Sequence, residues 1–111
     1  MDLSVETRGD ILVVYANQDR IDAAGAIQFK ERMREFVQTP CPRVILDMSK
    51  VAFLDSSGLG AVVAVMKLLG PDRKLELSGL TATVQKVFRL TRMDTIFTIH
   101  DALPSGLRNA G

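Results

Sequence analysis

The sequence predicts an α/β domain built on a mostly parallel sheet, and three observations carry that expectation. Short apolar runs rich in β-branched residues recur along the chain, at ILVVYA, RVILDM, KLELSGL and IFTIH. Segments with helical spacing of apolar residues separate the later runs, each long enough for a right-handed crossover between parallel strands. Only the first two strand-like segments lie too close together for a crossover, so they are read as a hairpin. With 111 residues the chain can bury one core and is too short to divide comfortably in two, so residues 1–111 are taken as a single domain.

Each element follows from local chemistry. LSVETRG alternates apolar and polar side chains, and the turn at Arg8-Gly9-Asp10 leads into ILVVYA, apolar enough to be covered on both faces. Asp22 precedes a segment with Ala26, Ile27, Phe29, Met33, Phe36 and Val37 on one side and Lys30, Glu31, Arg34 and Glu35 on the other. That spacing predicts a helix with Asp22 as its N-cap, stopped by Pro40 and Pro42. RVILDM is a short strand, and VAFL carries the chain into FLDSSGLGAVVAVMKLLG, where helical periodicity runs to Gly70-Pro71. KLELSGL is the next strand. Thr81 is placed to cap a helix carrying Val84, Val87, Phe88 and Leu90, and IFTIH is the last strand. Asp101 starts a weak terminal helix containing Pro104, and the tail after Leu107 is expected to fray. The order is β-β-α-β-α-β-α-β-α: four to five strands with an antiparallel N-terminal strand, and about four helices.

Composition narrows the function. Fourteen basic against 13 acidic residues give no electrostatic preference for nucleic acid or an anionic membrane. MDLSVETRGD lacks a basic start followed by an apolar stretch, and the most apolar window, Leu59 to Leu69, contains Lys67 and falls short of the roughly 20 residues of a spanning helix. Membrane insertion is not expected, and the expected location is the cytoplasm. Cys41, the only cysteine, can form no internal disulfide.

Between Leu54 and the long apolar helix stand Asp55, Ser56 and Ser57, followed by Gly58 and Gly60. Neither serine is flanked by glycine two residues on each side, so the nucleophile elbow of a hydrolase is absent. His100, the only imidazole, falls in the last strand and is read as a structural residue. SSGLG lacks both the phosphate-loop spacing and Gly-x-Gly-x-x-Gly, since position 63 is Val, and no Asp/Glu/His cluster has metal-ligand spacing. No cofactor and no enzymatic activity are expected. A hydroxyl on the first turn of a helix can instead be a substrate: a phosphate there carries about −1.5 to −2 charge, and free amides and the helix dipole stabilise it. The same residues also suit plain structural duties, Asp55 as a cap and Gly58 and Gly60 as points of close helix packing.

VILDMSKVAFLDSSGLGAVVAV closely resembles the STAS domain of bacterial anti-sigma factor antagonists. The resemblance extends through QDRIDAAGAIQFKERMREF and LSGLTATVQKVFRLTRMDTIF to nearly the whole chain. It implies a switch in which the unphosphorylated antagonist binds an anti-sigma factor and frees a sigma factor. In many such systems the anti-sigma factor is itself a serine kinase using ATP and magnesium, whose action on the second serine of Asp-Ser-Ser-Gly releases the complex until a phosphatase restores it. That serine matches Ser57; the resemblance also assigns Asp22, Asp55, Ser56 and Gly58 to partner binding. STAS-like domains serve, alternatively, as scaffolds in signalling assemblies or as subunits of membrane transport systems. Two departures stand out: Asp19 where the family often has Gly, and Thr91-Arg92-Met93 where a Gly is common.

Overall fold

The computed structural model describes residues 2–103. Leu3–Arg8 (β1) and Ile11–Ala16 (β2) form the hairpin, turning at Gly9 with a φ of 62°, a left-handed conformation that glycine adopts without strain. Arg20–Ile21 (β3) precedes Ala26–Phe36 (α1), and Arg43–Asp47 (β4) and Phe53–Leu54 (β5) precede Ser56–Leu69 (α2). Lys74–Ser78 (β6), Ala82–Leu90 (α3), a 3-10 turn at Met93–Thr95 and Thr98–His100 (β7) complete the described chain. The main sheet runs β1-β2-β4-β6-β7, antiparallel between β1 and β2 and parallel elsewhere. The hairpin, the crossovers and a five-stranded sheet are therefore as the sequence predicts.

All three helices feed one core. Phe29 and Met33 of α1, Val62 and Val65 of α2, and Val84 and Phe88 of α3 pack with Leu12, Val14, Val44, Leu46 and Leu77 of the strands. Each such side chain, fully buried, contributes about 1.5–3 kcal/mol. The alternate strand residues Ile11, Val13 and Ile45 face the other side, where Tyr15 and Leu103 join them. Both faces of β2 and β4 are thus covered, which is why these strands read as unbroken apolar runs.

Some local expectations fail for identifiable reasons. Asp22 is not the N-cap of α1: its Oδ1 accepts from the Ala24 N–H at 3.1 Å and its carbonyl from the Gly25 N–H at 3.0 Å. That turn delays the helix, whose N-cap is Gly25. Thr81 stands at the N-cap of α3, but its hydroxyl donates to the Val51 carbonyl at 2.8 Å instead of capping. Three α-helices and one 3-10 turn occur among the described residues. Asp101 to Leu103 is not helical, and the rest of the expected terminal helix, from Pro104, and the tail lie outside the described residues.

Both departures from the family pattern find a place. Arg92 takes a φ of 62°, the left-handed conformation for which glycine is suited, in the link from α3 to the 3-10 turn. Asp19 does not take a positive φ, and its carbonyl accepts from Ala52 N–H at 2.7 Å and Phe53 N–H at 3.1 Å.

Candidate functional site

The two-residue strands β3 and β5 decide where the candidate residues meet. Arg20 pairs with Phe53 and Ile21 with Leu54 in a small parallel ladder separate from the main sheet. The chain leaving β3 carries Asp22, and the chain leaving β5 carries Asp55, Ser56 and Ser57, so residues more than thirty positions apart emerge side by side.

Asp55 locks that arrangement. Its backbone is extended, and its Oδ1 accepts from the Gly58 N–H at 2.8 Å, capping α2 as the sequence suggests. Its Oδ2 accepts from the Ala23 N–H at 3.1 Å, a second bond that reaches across to the chain beyond β3. One carboxylate therefore holds two backbone segments in register.

Gly58 is the other half of the lock. A Cβ at this position would lie 2.0 Å from the Ile21 carbonyl oxygen and 2.9 Å from Leu54 Cδ1, so only glycine admits so close an approach of α2 to β3. Gly60, to which the sequence gives the same packing role, does not share it. It is exposed, and a Cβ there meets nothing within 4 Å.

Ser56 and Ser57 are exposed on the first turn of α2. The first helical hydrogen bond runs from Leu59 N–H to the Asp55 carbonyl, so the amides of Ser56 and Ser57 precede the ladder. Neither serine hydroxyl bonds to another described residue. An external catalyst can reach this alcohol, and an anion attached to it would sit at the positive end of a 14-residue helix.

Two residues the sequence did not single out border the site. The Arg20 guanidinium lies over the Phe53 ring, 5.4 Å from its centre, and Arg20 Nη1 is 3.5 Å from Asp22 Oδ2. Phe53 remains 43% exposed, three residues before Ser56 in the chain. Its place in an apolar run hid it, since only the β3–β5 pairing turns it outward.

His100 is elsewhere, on β7. Its Nε2 is 2.7 Å from Oε1 of Glu76, a buried carboxylate that also takes two bonds from Arg43, at 2.6 and 2.8 Å. Hydrogen bonding from Arg43 first, aided by His100 and opposed by burial, holds the Glu76 carboxyl below its usual range. Among the described residues no group of three or more His, Cys, Asp or Glu could hold a metal ion. No described helix is long and apolar enough to cross a membrane.

Comparison with known structures places the fold. The chain is similar to an anti-sigma-factor antagonist (STAS) domain protein from Planctomyces limnophilus, with a TM-score of 0.87 and 18% identity over 99% of this chain and 98% of that one. It is also similar to the Bacillus cell fate determinant SpoIIAA in its phosphorylated form, with a TM-score of 0.69, 19% identity and coverage of 99% and 100%. A sulfate transporter family protein from Wolinella succinogenes matches with a TM-score of 0.75, 16% identity and coverage of 92% and 85%. The family model of the STAS domain matches residues 2–106, and the chain belongs to that family.

Proposed function

We propose that this STAS domain is a cytoplasmic anti-sigma factor antagonist, a binding protein and not an enzyme, switched off by phosphorylation of Ser57. The observation that carries the reading is the exposed, unbonded Ser57 hydroxyl on a helix turn whose backbone is locked by Asp55 and Gly58. Asp22, Ser56 and Ser57, on a backbone held by Asp55 and by Gly58, which is buried and so supports the surface without touching a partner, form the docking surface for an anti-sigma factor that is also an ATP- and magnesium-dependent serine kinase. The likeness to a Bacillus protein solved in a phosphorylated form supports the same reading.

The chemistry is simple. The Ser57 oxygen takes the γ-phosphoryl group of ATP, ADP leaves, and the hydroxyl proton passes to the kinase. The phosphate brings about −1.5 to −2 charge to a surface that already carries Asp22 and Asp55. Free amides and the helix dipole stabilise it, so the fold survives. The fitted partner meets new bulk, charge repulsion and the desolvation of a dianion, and each 1.4 kcal/mol of these costs about tenfold in affinity. Rigid exclusion releases the complex, and a phosphatase hydrolysing the phosphoserine resets it.

Incubation with the cognate kinase and ATP, followed by fragmentation mass spectrometry, is expected to place one phosphate on Ser57. Ser57→Ala should bind the anti-sigma factor and resist release, while Ser57→Asp should bind poorly. Phosphate on Ser56 with Ser57 untouched overturns the assignment. A second reading, a STAS subunit of a transport assembly, is favoured by the likeness to the Wolinella protein. Co-purification with a membrane transporter and no phosphate transfer to Ser57 would select it.

A further inference from the structure

Between α1 and α2 runs a groove of about 260 Å³ whose walls carry Lys30 and Arg34 from α1 and Lys67 and Leu68 from α2. Its floor is apolar: Val65 is 1% exposed, Ala64 is half-buried, and Leu68, at 46% exposure, forms an apolar edge. Among the described residues, no acidic group pairs with any of the three cations.

Charge is sorted on α1. Lys30 and Arg34 stand four residues apart and line the groove, whereas Glu31 and Glu35, also four apart, form the adjacent stripe, about 100° round the helix, with Arg32 beyond them. Like charges four apart weaken a helix. Arg34 and Lys67 suit the C-terminal ends of their helix dipoles; Lys30, in the middle of α1, does not.

The groove and Ser57 share one side of α2. Ser57, Gly60, Ala64 and Leu68 recur at helical spacing along the outward side of α2, with about 16 Å of axis from Ser57 to Leu68 at ~1.5 Å per residue. Ile27, 66% exposed, heads the matching stripe on α1 three residues before Lys30.

We infer that the α1–α2 groove seats an acidic amphipathic helix of a protein partner, its apolar seam on Ala64, Val65 and Leu68 and its carboxylates on Lys30, Arg34 and Lys67. The inference rests on the proposed docking role and adds the chemistry of the segment that docks. Helix-in-groove binding needs an apolar floor with charged walls, as found here. A stripe about three turns long fits one helix. An anionic membrane is disfavoured, because it would also meet Glu31 and Glu35 on the same helix, and the whole chain carries only a net +1 charge.

The full chain, labelled with nitrogen-15, is titrated with a synthetic helical peptide of about 18 residues, long enough to hold a helix in water. The peptide bears leucines at i, i+3, i+4 and i+7 flanked by glutamates; a second carries lysines in their place. Amide shifts on α1 from Ile27 to Arg34 and on α2 from Gly60 to Leu68, with the acidic peptide alone, are expected. Lys30→Glu with Lys67→Glu should weaken that binding by about tenfold or more and confer binding of the lysine peptide, a swap that mere structural damage cannot produce. Lys30→Gln with Lys67→Gln gives a smaller loss from a gentler change. No shifts, shifts elsewhere, or stronger binding to phosphatidylglycerol vesicles than to the peptide overturns the inference. Because the titration uses neither kinase nor anti-sigma factor, its failure is distinct from a failure of phosphorylation at Ser57.

Discussion

Asp55, at the head of α2, and Glu76, on the far face of the sheet, are carboxylates that each use both oxygens, but their partners differ in kind. Glu76 bonds side chains, Arg43 twice and His100 once, and so ties β4, β6 and β7 together. Asp55 bonds backbone amides, those of Gly58 and Ala23. The first arrangement engages each side chain it joins in bonds within the fold. The second fixes two stretches of main chain and leaves the neighbouring side chains, Ser56 and Ser57, pointing outward. A polar cluster closed on itself supports the fold, and one closed on backbone can present a surface.

The largest effect that would sharpen this contrast is at Gly58. Gly58→Ala drives a methyl into the Ile21 carbonyl, and we expect a loss of about 3 kcal/mol or more in denaturant unfolding, or no folded protein. A near-neutral result would show that the α2–β3 contact is not tight, and the locked site would lose its basis.

Next comes Glu76→Gln, which should cost about 1–3 kcal/mol at neutral pH by leaving Arg43 poorly matched. The pH dependence has a definite sign. The folded carboxyl titrates below its ordinary value of 4.5, so its stabilisation is complete above that value and is lost as pH falls through the lower folded one. Thermal unfolding from pH 7 to pH 3 should show a steeper acid loss in the parent protein than in Glu76→Gln. Equal slopes would remove Glu76 as the closed cluster of the comparison.

Asp55→Ala should cost about 1–2 kcal/mol through the lost cap. It should also speed amide hydrogen exchange at Ala23, far along the chain from the substitution, because the bridging bond goes with it. Unchanged exchange at Ala23 would reduce Asp55 to a local cap. The smallest effect is a gain: Gly60→Ala, in open space on α2, should stabilise by about 0.5–1 kcal/mol through helix propensity alone. A loss would mean that this outward side of the helix is more crowded than its exposure indicates.

Legibility followed the range of the interactions. Periodicity exposed the hairpin, the three long helices and the parallel strands, since apolar spacing is written locally. The Asp-Ser-Ser-Gly turn and the capping role of Asp55 were readable for the same reason. Asp22 was misread as a helix cap because a cap and an Asx turn share the same residue types, and only backbone geometry separates them. Glu76 between two leucines gave a weak hint, a polar residue in an apolar strand, but its partners lie 33 and 24 residues away.

By itself, then, the chain's order of residues determined the α/β class, the placement of an alcohol at a helix start, and the family pattern that surrounds it. Only tertiary structure decided that Asp22 stands beside the serines, that Gly58 and not Gly60 is sterically required, and that Phe53 turns outward next to Arg20. The physical reason is pairing at a distance. The two-residue β3–β5 ladder is too short to leave a periodic trace, yet it fixes which backbone segments meet and so which side chains share a surface.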